Sequence, residues 1–207
     1  TEPTATPAPT PTPAPTTVKI GLLSPQTGPI AQFSPGFEDA GAVAISELNG
    51  AHNDFQFELI IGDSGCDPTQ AATAAQSLID SGVSVIVGAA CSGATLGAIA
   101  VAAPAGIPMV SYASTSPAVT TAADNGHLFR VVPSDAQQAV ALVSVATDAG
   151  ATNPAVIYMT NDYGSGLGDN FAANWSGKVC TQVGYDPAKG KYNATQLANA
   201  VTGGGCD

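Results

Sequence analysis

Short, uninterrupted apolar runs separated by helix-patterned stretches constrain this chain more than any other feature. VKIGLL at 18–23, FQFELIIG at 55–62, VSVIVGAA at 83–90, IPMVSYAS at 107–114, HLFRVVP at 127–133 and PAVIYMT at 154–160 each predict a strand. A further strand is expected near 178–184. Between them lie stretches of helical period. Phe37, Ala40, Val43, Ala44 and Leu48 recur at helical spacing over 36–48, and Asn49-Gly50 is expected to stop that helix. Asp67 is a natural N-cap for a helix over 68–79 with Pro68 at its first position. A small-residue helix is expected at 94–103, one capped by Ser134 to about Ala149, and others near 166–175 and 194–201.

Strands that stay apolar instead of alternating are covered on both faces, as parallel strands are. The pattern therefore predicts an α/β fold with doubly wound parallel sheets. Such sheets bind ligands beyond the carboxyl ends of their strands. The loops that matter are then those after Ser24 and Ser64, and those at Ala90–Gly93, Tyr112–Ser116 and Asn161–Gly166. They are rich in small hydroxyls, glycines and aromatics and poor in charge. Ala90-Cys91-Ser92-Gly93 joins a strand to a helix, so its backbone N–H groups and the Ser92 hydroxyl suit an anionic group such as a carboxylate. Hydroxyl loops of this kind fit a small polar molecule. They are also ordinary turn and cap chemistry.

Residues 1–17 stand apart. They hold six prolines, seven threonines, three alanines and one glutamate, with no large apolar side chain to bury. This composition predicts an extended stalk, either a plain linker or an O-glycosylated one. It has neither the basic n-region nor the apolar h-region of a signal peptide.

Charge narrows the partners. The chain has 5 Lys+Arg against 16 Asp+Glu, a formal net charge of −11. Nucleic acid and anionic membrane surfaces call for clustered Lys and Arg, so neither is an expected partner. No apolar run approaches the roughly 20 residues of a membrane span.

The four cysteines, Cys66, Cys91, Cys180 and Cys206, show no close metal-site spacing, and His52 and His127 are distant from them in sequence. No metal or other cofactor is expected. Separations of 25 and 26 residues suit two disulfides in an oxidising compartment, or else four buried thiols. Asn174 and Asn193 each begin an N-x-Ser/Thr sequon, which marks them as glycosylation candidates. No G-x-S-x-G, H-E-x-x-H or Walker A sequence is present. Gly164-Ser165-Gly166-Leu167-Gly168 lacks the lysine of a phosphate loop. An enzyme is not expected.

Taken in order, KIGLLSPQTGP, GFEDAGAVAISELN, GDSGCDPTQAATAAQSLI, VIVGAACSGATLGAIA, GIPMVSYASTSPAVT, LFRVVPSDAQQA and NDYGSG resemble the type I periplasmic solute-binding proteins. The branched-chain amino acid group of ABC transporter components is the nearest likeness. The resemblance covers about residues 18–207. It implies a Cys66–Cys91 disulfide and two α/β lobes closing on a ligand.

By resemblance, Ser92, Ala113 and Thr115 would hold the carboxylate and ammonium ends of a small amino-acid-like ligand. Ser114 would stand in the same loop, Tyr163 would reach in from the second lobe, and Tyr112 would narrow the pocket. An ABC transporter permease is the implied partner and the location is extracytoplasmic. Residues 18–133 are expected to supply most of the first lobe and 134–207 the beginning of the second. The chain stops where the family's next strand should start, with the acidic residue that neutralises the ligand ammonium lying beyond. Cys180 and Cys206 pair with each other, or with partners outside this sequence. The alternative expectation is a self-assembling extracellular filament or tube, built through the Pro-rich arm and exposed sheet edges.

Overall fold

A computed structural model describes residues 14–186 and 194–206. Five parallel strands form the first sheet: β1 (Thr16–Ser24), β2 (Phe55–Asp63), β3 (Val85–Val87), β4 (Met109–Ser111) and β5 (Leu128–Arg130). Their order is β2-β1-β3-β4-β5. Two more parallel strands, β6 (Ala155–Met159) and β7 (Thr181–Tyr185), form a second sheet. The helices are α1 (Ser34–Ala51), α2 (Pro68–Asp80), α3 (Ser92–Ala102), α4 (Asp135–Asp148), α5 (Asp162–Asn174) and α6 (Ala194–Gly203). The α/β class and the parallel sheets are as the apolar runs predict.

The core lies between the first sheet and the pair α2–α3. Leu23, Ile86 and Met109 from the sheet are fully buried against Ala71, Ala75 and Leu78 of α2 and Ala94, Ala98 and Ala102 of α3. Alanine lets the two helices approach closely, and Gly97 brings α3 closest. A Cβ there would stand 2.1 Å from the carbonyl oxygen of Pro68. Asp67 caps α2, its Oδ1 accepting from the N–H groups of Thr69 and Gln70 at 2.9 and 2.8 Å. Ser134 caps α4 through the Ala136 N–H.

Four expectations need correction. The stalk ends sooner than residue 17, because Thr16 and Thr17 already pair with Phe55 and Gln56; residues 1–13 lie outside the described residues. Helix α1 runs past Asn49-Gly50 to Ala51, since the Asn49 side chain bonds both backbone groups of Phe57 and ties the last turn to β2. It turns Gly41, Ile45 and Leu48 inward and leaves Val43 59% exposed, because Gly41 is what fits over Leu22 and Leu59. The run 154–160 is not buried on both faces: Val156 is inside while Ile157 is 42% exposed.

Candidate functional site

Parallel strands deliver their carboxyl ends to one edge of a sheet, and here the two sheets present those ends to a shared cavity of about 490 Å³. From the first sheet come Ala90–Gly93 after β3 and Ala113 and Thr115 after β4. Pro29, Ile30, Cys66 and Pro68 complete that wall. From the other side come Gln138 of α4, Met159 at the end of β6, and Asn161, Asp162 and Tyr163. Four of the five expected ligand residues, Ser92, Ala113, Thr115 and Tyr163, line this one space. Ser114 does not.

The first wall offers hydrogen-bond donors. Helix α3 starts at Ser92 with Cys91 as its N-cap, and no side chain caps its first turn. Its leading N–H groups therefore face the cavity edge with the positive end of the helix dipole. Ser92 is 3% exposed, and its Oγ accepts from the Ser116 N–H at 3.2 Å. A hydroxyl that accepts one bond keeps its proton to donate.

Ser114 lies beneath the cavity. Fully buried, its Oγ meets Thr95 Oγ1 at 2.7 Å and has its one proton within reach of the carbonyls of Ala89 and Ala90. Thr115 behaves differently. Its hydroxyl donates to Asp135 Oδ2 at 2.9 Å, while its carbonyl accepts from the Asp135 N–H at 2.8 Å and from Arg130 Nη1 at 3.1 Å. Asp135 is fully buried, and its other oxygen, Oδ1, has no hydrogen-bond partner among the described residues. Burial pushes its carboxyl above the ordinary carboxylate range, against the opposing pull of the Thr115 hydrogen bond and the Arg130 charge.

Tyr163 stands at the second position of α5 and is 41% exposed. Its neighbour Asp162 is the charged side chain among the described residues that line the cavity. Asp162 Oδ2 reaches so near Gly93 that a Cβ there would sit 2.6 Å away. Asn161 caps α5, its Oδ1 accepting from the Gly164 N–H at 2.8 Å. The glycines of GSGLG serve packing: a Cβ at Gly164 would strike the Met159 carbonyl, and one at Gly168 would press on the Tyr158 ring. Tyr112 does not line the cavity. Its ring packs on Phe37 at 4.9 Å and its phenol donates to the Leu23 carbonyl at 3.0 Å.

Both disulfides are formed within the chain, Cys66–Cys91 and Cys180–Cys206. The first holds the loop after β2 against the start of α3 at the cavity wall. Among the described residues no group of His, Cys, Asp or Glu is placed to hold a metal ion. No helix among them is long and apolar enough to cross a membrane. Asn174 is exposed at the end of α5; Asn193 lies outside the described residues.

Sequence reasoning missed Gln138, Met159 and Asp135. The residues just after the Ser134 cap were the available signal for Gln138 and Asp135, since a helix that begins at a strand-end edge presents its first turns there.

A family model described as "Periplasmic binding protein" matches residues 17–207. The chain is similar to the leucine-, isoleucine-, valine-, threonine- and alanine-binding protein of Pseudomonas aeruginosa. The two are 33% identical over 156 residues, covering 73% of this chain and 41% of that protein. An amino acid binding protein of the same organism is 30% identical over 198 residues, covering 92% of this chain and 52% of that protein. Among solved structures, the substrate-binding protein of a branched-chain amino acid transporter from Streptococcus pneumoniae, in complex with isoleucine, superposes with a TM-score of 0.75. It is 26% identical, covering 88% of this chain and 53% of that one. The chain spans about half the length of the curated relatives it matches.

Proposed function

The chain belongs to the periplasmic binding protein family, and on that premise we propose that it is a solute-binding component of an ABC importer. It holds a small amino acid or related polar molecule in the cleft between its two sheets. Residues 18–133 form most of one lobe and 134–207 the beginning of a second. The protein works outside the cytoplasm and passes its solute to a transporter permease. Proteins of this family bind solutes without transforming them, so no turnover is expected. Self-assembly into a filament finds no support in the relatives, which are binding proteins.

One observation carries the proposal: Ser92, Ala113, Thr115 and Tyr163, drawn from three strand-end loops and both sheets, converge on a single cavity of about 490 Å³. A space of that size takes a small molecule. The uncapped first turn of α3 and the Ser92 proton offer donors to a carboxylate. Among the named relatives, one is a leucine-, isoleucine-, valine-, threonine- and alanine-binding protein and another was solved with isoleucine. Both favour an aliphatic L-amino acid here.

Calorimetry with the full chain tests this. The expected result is saturable heat with at least one of L-leucine, L-isoleucine, L-valine, L-threonine or L-alanine, weakened at least about tenfold in Ser92→Ala, which removes a hydrogen bond to a charged group. Heat with none of the five overturns it.

A further inference from the structure

A threonine hydroxyl has one proton to give and two lone pairs to offer. In Thr115 the proton is committed to Asp135 Oδ2 at 2.9 Å. The Thr115 carbonyl is also engaged, by the Asp135 N–H and by Arg130 Nη1. What the Thr115 side chain has left for the cavity it lines is the lone-pair side of Oγ1, which accepts and does not donate. Ser92 is arranged in the opposite sense: its oxygen accepts from Ser116 and its proton remains. The two hydroxyls on the first sheet's side of the cavity therefore carry opposite polarity, and Asp135 sets one of them.

We propose that Asp135 is a positioning residue: by taking the Thr115 hydroxyl proton it turns Thr115 Oγ1 into an acceptor, so the cavity favours a solute that brings an ammonium donor over a bare carboxylate. The proposal rests on the cavity being the solute site.

The geometry makes Asp135 well placed for this. It is the first residue of α4, held by its own N–H on the Thr115 carbonyl, so carboxylate and hydroxyl are fixed to each other by two bonds. It is fully buried, so water does not compete for the proton. Arg130 of β5 is the charged neighbour whose field reaches it. The guanidinium is spent on the carbonyls of Thr115 and Ser116 and on the Thr120 hydroxyl. Asp135 does not itself line the cavity, and its influence runs through Thr115.

Two measurements on the full chain test this. The first needs no solute: the Asp135 carboxyl carbon is followed by NMR through a pH titration. In Thr115→Val the midpoint should rise relative to wild type, because a hydrogen bond that favours the charged form is gone, while Thr115→Ser should keep the wild-type midpoint. A midpoint unmoved in Thr115→Val overturns the proposal.

The second compares L-leucine with 4-methylpentanoate, which lacks the amino group, in wild type and Asp135→Ala, which leaves no side-chain acceptor for the Thr115 proton. Affinity for leucine should fall about tenfold and affinity for the des-amino acid by less than about twofold. Equal losses for both, the signature of a merely structural residue, overturn it. If wild type binds neither compound, the solute-binding proposal fails. The titration then still decides whether Asp135 holds the Thr115 proton.

Discussion

Gly97 of α3 lies against the backbone of Pro68 at the start of α2, with room for a hydrogen and none for a methyl group: a Cβ would stand 2.1 Å from the Pro68 carbonyl oxygen. This contact sets how closely the two core helices pack. In an open helix, glycine to alanine stabilises by roughly 0.5–1 kcal/mol. Here a backbone atom would have to move, so overpacking wins and Gly97→Ala should cost about 1–3 kcal/mol. Gly36 in α1 has nothing within 4 Å of its added Cβ, and Gly36→Ala should be neutral or mildly stabilising. Urea unfolding of the two variants checks this; equal midpoints would contradict it.

The loop after β1 is tied to the end of β2 by one carboxylate. Asp63 accepts from the Thr27 N–H and hydroxyl, the Gly65 N–H and the Gln70 amide. Burial raises its pKa, but these hydrogen bonds, that of Thr27 foremost, outweigh burial and hold it below the ordinary range. A depressed folded-state pKa means the stabilisation is complete above the unfolded value of about 3.9 and is lost as pH falls through the folded value. Glu38, lowered foremost by its bond from Ser34, acts in the same direction. Asp63→Asn should be less stable than wild type at pH 7, and the gap should close as urea midpoints are followed down to pH 3. A gap independent of pH would remove Asp63 from this role.

Local chemistry was legible in the sequence. Asp67-Pro68 and Ser134 announce helix starts because a cap needs only its own next residues, and both caps form as expected. The gathering of the strand-end loops around one cavity was legible because parallel strands bring their carboxyl ends to one edge of a sheet. What was not legible depends on partners far along the chain. The inward face of α1 is set by Gly41 meeting Leu59 and Leu22, so Val43 turned out exposed despite its helical spacing. Asp135 went unseen because its partner Thr115 lies 20 residues away. Ser92 and Ser114 are alike as residues, and only the packing shows that one lines the cavity while the other supports its floor.

That difference makes Ser92 and Ser114 a paired test. Ser114→Ala removes a buried hydroxyl that serves Thr95 and the carbonyls of Ala89 and Ala90. Its loss should cost about 1–3 kcal/mol of stability. Ser92→Ala withdraws one long bond from the Ser116 N–H, and should cost less stability while weakening solute binding more. Thermal unfolding and calorimetry on both variants should rank them in opposite orders. The same order in both would mean the two hydroxyls do one job.

The Cys66–Cys91 disulfide closes a loop that contains all of α2 and β3, with a sequence separation of 25. Chain entropy assigns such a loop about 3 kcal/mol. The Cys180–Cys206 bridge, with a separation of 26, closes a loop of nearly the same size. On entropy alone, the double variants Cys66→Ser/Cys91→Ser and Cys180→Ser/Cys206→Ser should lose similar stability, each roughly 10 °C in Tm. Their effects on the cavity should differ. Cys66 and Cys91 line it, and Cys91 is the N-cap of α3, whose first turn holds Ser92 and Gly93; neither Cys180 nor Cys206 is among its lining residues. Removing the first bridge should therefore lower solute affinity as well as Tm, while removing the second lowers Tm with affinity nearly intact. Calorimetry well below both melting points separates the two effects, and equal affinity losses would show that the first bridge does not position α3.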